Sequence, residues 1–133
     1  MSRRPVAPAA TLLLLALAAA CGGDDQKEVR RAVRDFVRAT DRQDAAAFCG
    51  LVTREYIEQS TGASGDRAGR ACRQQLRAVK GLSLRLVRIG RVEVDGDRAR
   101  ATAVLDTQGR RQVRRFVLER EDGDWRLAGG AER

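Results

Sequence analysis

Three short turn signals divide the second half of the chain into segments of strand length. They lie at residues 95–96, 106–109 and 122–123, and each begins with Asp and ends with Gly. Between them, apolar and polar residues alternate, which is typical of strands with one buried face. Turns this short join neighbouring antiparallel strands. The sequence therefore predicts a four-stranded antiparallel meander, or five strands if the first one breaks in two.

The first of these strands changes its alternation part-way along. Leu82, Leu84 and Leu86 share one parity, whereas Val87 and Ile89 take the other. A single extra residue in a strand reverses which face every later side chain occupies. We therefore predict a bulge near Leu86 and a long, bent first strand.

The first half of the chain has apolar residues at helical spacing instead. It predicts three helices, at residues 24–44, 44–61 and 65–81. Each has an aspartate suited to cap its start: Asp24 or Asp25, Asp44 and Asp66. Gly81 is expected to end the third helix. Helices followed by an antiparallel meander indicate an α+β domain.

Three helices and a bent meander that closes on Gly123-Asp124-Trp125-Arg126-Leu127 resemble the nuclear-transport-factor-2-like (NTF2-like) fold. SnoaL-like polyketide cyclases, ketosteroid isomerases and many bacterial envelope lipoproteins share this cone of helices and curved sheet. The resemblance covers residues 25–129, and its most specific parts are 92–105 and 116–129. It concerns element order and turns, so it implies a fold and not an activity. Dimerisation through the open face of the sheet is common in families of this fold, so the resemblance also implies a possible homodimer.

The N-terminus has the layout of an export signal. Arg3 and Arg4 precede an apolar segment, 11–20, that is about half the roughly 20 residues a membrane span needs. Residues 17–21 resemble the lipobox of bacterial lipoproteins, although Ala18 stands where Leu is commoner; ordinary cleavage after an A-x-A site is the alternative.

From this we predict a signal peptide at 1–20, lipidated Cys21 with a short linker to residue 25, and an NTF2-like domain at 26–133. A diacylglycerol on Cys21 supplies two buried chains, enough for stable anchoring. The protein is then expected at the extracytoplasmic face of the cell membrane.

The other two cysteines, Cys49 and Cys72, are predicted to form a disulfide, because exported proteins keep such bonds. A metal site and a catalytic thiol are the alternatives. The chain contains no histidine, so it lacks both a usual zinc ligand and a usual base for a thiol. Neither a metal nor a cofactor is expected.

The chain is basic, with a formal net charge of +8. Nucleic acid is the usual partner of such a chain, but export and the even spread of arginines argue against it. The first helix has a basic face of five residues: Lys27, Arg30, Arg31, Arg34 and Arg38. Such a face is usually solvated, but near a membrane it can also bind anionic lipid head groups.

A small set of residues is proposed to line any pocket inside the cone: Phe36, Tyr56, Ala101, Phe116 and Trp125. Core packing is the alternative role for each of them, and for the small residues Ala99, Ala101 and Ala103. In an enzyme of this fold, Tyr56 could act with Asp106 or Glu119 as oxyanion stabiliser and proton carrier. A group of strand arginines could instead bind an anion: Arg98, Arg100, Arg111, Arg114 and Arg115.

These observations favour a non-catalytic binding or interaction module whose partner is an unknown small molecule or envelope protein. No residue is assigned as catalytic. The alternative is an isomerase-type or cyclase-type enzyme acting on a small apolar or carbonyl-bearing molecule. A third option, association with anionic envelope polymers, depends on the charge alone.

Overall fold

The computed structural model describes residues 2–3 and 21–132. The predicted signal peptide falls almost wholly outside the described residues. The described residues form four helices and then four strands: α1 Cys21–Asp41, α2 Ala45–Gly50, α3 Arg54–Thr61, α4 Asp66–Ala78, β1 Arg85–Asp95, β2 Arg98–Thr107, β3 Arg110–Glu121 and β4 Asp124–Glu132. Within the described ranges, no helix is both long and apolar enough to cross a membrane.

The start of α1 corrects a prediction. The chain is already helical at Cys21, so residues 22–25 are not a linker outside the helix, and neither Asp24 nor Asp25 is an N-cap residue. Asp24 lies in the first turn, where a carboxylate is favoured by the helix dipole. Asp25 uses its side chain for a tertiary contact, accepting a hydrogen bond from Arg120 at 2.6 Å. The first predicted helix is otherwise present, and its buried face includes Val29 and Val33.

The second predicted helix is divided into α2 and α3. Asp44 caps α2 as expected, accepting a hydrogen bond from the Ala47 N–H at 3.1 Å. The chain then leaves the helix, because Val52 forms a parallel bridge to Leu127 of β4. Thr53 restarts it by accepting a hydrogen bond from the Tyr56 N–H at 3.3 Å, as an N-cap residue does. A contact with a distant strand therefore interrupts a segment with continuous helical spacing.

The ends of α4 also differ from expectation. Gly65, not Asp66, is the N-cap residue, and no side chain caps the helix. Its positive φ of 58° suits glycine, which has no Cβ to clash in that conformation. The helix ends at Ala78, before Gly81. Val79 is extended there, and its carbonyl accepts a hydrogen bond from Gln43.

The sheet is the predicted antiparallel meander, with strands in the order β1-β2-β3-β4. The β1–β2 register shifts between Leu86 and Arg88, which confirms the predicted bulge. A second shift follows between Ile89 and Val92. The three hairpins lie at the three turn signals, where Gly96, Gly109 and Gly123 have positive φ. The two shifts give β1 the bend that lets the sheet curve around α1.

Two apolar cores hold these layers together. The larger one lies between α1 and the inner face of the sheet, and the smaller one joins α2, α3 and α4. Cys49 of α2 and Cys72 of α4 are buried in the smaller core and form the predicted disulfide. The bond fastens α4 to the rest of the domain.

Candidate functional site

The inner face of the sheet has a strip of small side chains. Ala99, Ala101 and Ala103 alternate along β2 and are at most 2% exposed. Directly opposed residues of an antiparallel pair lie on the same face, so Phe116, the register partner of Ala101, shares this face. The strip therefore has a large ring beside it on β3.

Phe36 packs against Phe116 beside this strip, and Phe48 continues the aromatic contact into the smaller core. The ring centroids of Phe36 and Phe116 are 5.9 Å apart, and those of Phe36 and Phe48 are 5.0 Å apart. These distances are typical of packed aromatic pairs. Phe36 comes from α1, Phe48 from α2 and Phe116 from β3, so one aromatic cluster joins helices and sheet. Of the predicted pocket residues, Phe36, Ala101 and Phe116 thus meet as packing residues inside the cone.

Trp125 lies in the same core, 5% exposed. The guanidinium of Arg120 lies 4.7 Å from the centroid of its ring, within the range of a cation–π contact. Arg120 also pairs with Asp25 of α1 at 2.6 Å and with Asp97 at 3.4 Å. The hydrogen bond to Asp25 raises the pKa of Arg120. This cluster fastens the first turns of α1 to the sheet.

Sequence reasoning missed Arg120, although one signal was present. Arg120 has the parity of Phe116 and Leu118 on β3, which places it on the inner face. A lone cation on a buried face usually has an acidic partner. Nothing local to β3 identified that partner as Asp25.

The proposed acid–base groups are not brought together. Tyr56 is 37% exposed on α3 and does not lie among the inner-face residues. Asp106 and Glu119 have the parity of the outer face of the sheet, where they pair with arginines: Asp106 with Arg85 at 3.3 Å and Glu119 with Arg98 at 3.6 Å. The arrangement of an isomerase, with phenol and carboxylate facing one cavity, is therefore not formed.

The strand arginines divide between the two faces. Four of them are exposed on the outer face: Arg98, Arg100, Arg111 and Arg115. Arg114 is opposite Ala103 and so lies on the inner face, where it donates a hydrogen bond to Gln112. On the outer face, Arg100 and Arg115 help to line an open cavity of about 540 Å³.

The basic face of α1 is narrower than expected. Four cations are exposed along it, at spacings that keep them on one side of the helix: Lys27, Arg31, Arg34 and Arg38. We call these four residues the α1 basic stripe. Arg30 does not belong to it, because it is partly buried and its Nη1 donates to the Ile89 carbonyl of β1 at 3.5 Å.

No protein-family model matches the sequence, and no curated protein matches it either. Solved structures do match. A protein from Streptomyces avermitilis, provisionally named a dehydratase of the NTF2-like family, is 21% identical, with a TM-score of 0.54 over 81% of this chain and 94% of that one. A cystatin-like domain of unknown function from Nostoc punctiforme is 19% identical, with a TM-score of 0.55 over 80% of this chain and 75% of that one.

A third similar structure is an NTF2-like protein of unknown function from Shewanella oneidensis. It is 12% identical, with a TM-score of 0.51 over 80% of this chain and 96% of that one. The chain has the NTF2-like fold. Identities this low support the fold alone, so the NTF2-like domain must be assigned a function from its own residues.

Proposed function

We propose that this protein is an extracytoplasmic lipoprotein, anchored through Cys21, whose NTF2-like domain is a non-catalytic binding module. The observation that supports the non-catalytic role is the aromatic packing between α1 and the sheet. Phe36 packs there against Phe116, and it also contacts Phe48 of α2.

A general acid or base must come within hydrogen-bond reach of the substrate atom that it protonates or deprotonates. Tyr56 is on the exposed side of α3, and Asp106 and Glu119 are on the far face of the sheet. None of these three groups would therefore reach a substrate inside the cone. The dehydratase name of the Streptomyces protein is not carried over to this chain, because an identity of 21% supports the fold alone.

The membrane part of the proposal follows from the lipobox-like sequence and from α1. Since α1 begins at Cys21, the lipidated residue and the α1 basic stripe belong to one helix. Arg38 is then about 25 Å along the helix from Cys21, at 1.5 Å per residue. Electrostatic attraction decays over roughly 8 Å in physiological salt. The stripe contributes to binding only if α1 lies along the membrane surface, where each cation adds about 1 kcal/mol.

The anchor is tested by intact-mass analysis of the protein extracted from membranes. We expect a chain that begins at Cys21 and has two or three acyl groups. An uncleaved chain, or a cleaved chain without acyl groups, would contradict the proposal.

The stripe is tested by vesicle flotation of unacylated protein that begins at residue 21. Replacing Arg34 and Arg38 with Glu should weaken binding to vesicles containing anionic lipid by at least about tenfold, because each cation contributes about 1 kcal/mol. The control makes the same charge change at Arg67 and Arg77, two exposed arginines of α4. Equal losses in both variants would show that only net charge matters.

A further inference from the structure

A second cavity, of about 370 Å³, lies between α3, α4 and the β3–β4 hairpin. Four arginines from three elements line it: Arg54, Arg70, Arg73 and Arg126. We call it the arginine cavity. It is separate from the aromatic cluster inside the cone and from the open cavity beside Arg100 and Arg115. Only two carboxylates, Asp66 and Glu121, share its lining, so positive charge is in excess.

Glu121 is already engaged on both of its oxygens. One accepts a hydrogen bond from Nη1 of Arg126 at 3.2 Å, and the other accepts from the Arg54 N–H at 3.1 Å. The Arg54 guanidinium approaches an acid only at 3.9 Å, from Asp122. Glu121 thus holds the wall of the cavity in place and neutralises one of the four cations.

Two of the arginines have no acidic partner. Within residues 21–132, neither Arg70 nor Arg73 forms an ion pair. Arg73 is partly buried and lies back along α4, where its Nη1 is 3.5 Å from the point at which a Cβ on Gly69 would stand. The absence of a side chain at Gly69 leaves room for that guanidinium against the helix.

Arg126 lines the β4 side of the cavity. Its Nη1 donates to Glu121, and its Nε is enclosed by protein without a hydrogen-bond partner among the described residues. Because this Nε is closed to the cavity, we expect Arg70 and Arg73 to supply the donors for a bound anion.

The guanidinium groups define the chemistry of that ligand. Their planar N–H pairs match the oxygens of phosphate and carboxylate groups and bind them with two parallel hydrogen bonds. Four cations against two carboxylates favour a dianion over a monoanion. We propose that the arginine cavity binds a small anion bearing a phosphate group. This deepens the binding role proposed above and rests on it, but it is independent of how the protein is attached to the membrane.

The test is calorimetric titration of the full chain, oxidised and in detergent micelles, with inorganic phosphate at constant ionic strength. We expect saturable binding with one site per chain and weaker binding of acetate. Absence of saturable binding would overturn the proposal. Acetate binding as tight as phosphate would overturn the assignment to a phosphate group.

Matched variants on one helix locate the site. Arg70→Gln with Arg73→Gln should weaken phosphate binding by about tenfold or more, since hydrogen bonds to charged groups are strong. Arg67→Gln with Arg77→Gln removes the same charge from α4 outside the cavity and should change affinity by no more than about twofold. Equal losses in the two variants, or no loss in the first, would overturn the site.

A cooperative thermal unfolding transition will show that each variant is folded. If the natural protein is acylated but does not bind phosphate, the arginine cavity is refuted and the membrane anchor stands. If it binds phosphate but has no acyl groups, the membrane anchor is refuted and the arginine cavity stands.

Discussion

Replacing Phe116 with alanine tests whether the cone is filled. Phe116 is 3% exposed, and its ring contacts that of Phe36. Its register partner is Ala101, with a side chain too small to move into the vacated space. Most of the volume of the ring should therefore remain as a cavity.

The expected cost follows from that geometry. Phe→Ala substitutions in cores destabilise by about 3–5 kcal/mol, and the cost is greater where the surroundings cannot collapse. The alanines around Phe116 place this variant in the upper part of that range. Because small domains are stable by only about 5–15 kcal/mol, the substitution should remove a large fraction of the free energy of unfolding.

The assay is urea denaturation followed by the fluorescence of Trp125, the only tryptophan. Val113→Ala is the control on the same strand, because Val113 is 59% exposed on the outer face. It should change the free energy of unfolding by no more than about 0.5 kcal/mol. A loss below about 1 kcal/mol for the Phe116 variant would refute the filled cone. So would stoichiometric binding of a small apolar probe to the unmodified protein, since such probes enter dry, empty cavities.

Two further predictions concern the disulfide and the Arg120–Asp25 ion pair, which join helices to the rest of the domain. Replacing Cys49 and Cys72 with alanine should lower the free energy of unfolding by about 3 kcal/mol, because the bond closes a loop across 23 residues; an unchanged urea midpoint would contradict this. Arg120→Met should lower the thermal midpoint by the same amount at pH 7 and pH 10. The hydrogen bond to Asp25 raises the folded-state pKa of Arg120. The stability that this bond contributes is therefore complete below the unfolded-state pKa, and it is lost only as the pH rises through the folded-state pKa, well above pH 10. A difference that shrinks at pH 10 would refute that reasoning.

Local patterns in the sequence were sufficient for most of the fold. Alternation along β2 and the glycine turns predicted the meander, since strand period and hairpin geometry depend on neighbouring residues. The reversal of parity near Leu86 predicted the bulge for the same reason. The pairing of Cys49 with Cys72 could be predicted from the count of cysteines and the expectation of export.

The predictions failed where a distant element competed with a local preference. The 44–61 segment has helical spacing throughout, but Val52 bridges to Leu127 of β4 and the helix divides there. Gly22 and Gly23 suggested a linker, but the helix extends through them to Cys21. No window of a few residues contains these contacts.

The sequence by itself therefore determined most of the helices and strands, where the turns fall and which cysteines pair. Only the tertiary structure decided that Phe36 meets Phe116, that Asp25 meets Arg120, and that Arg73 and Arg126 line one cavity. The physical reason is the distance along the chain over which each effect acts. Periodicity and turn chemistry act within one turn or hairpin, whereas packing and charge pairing depend on which surfaces the whole chain brings together.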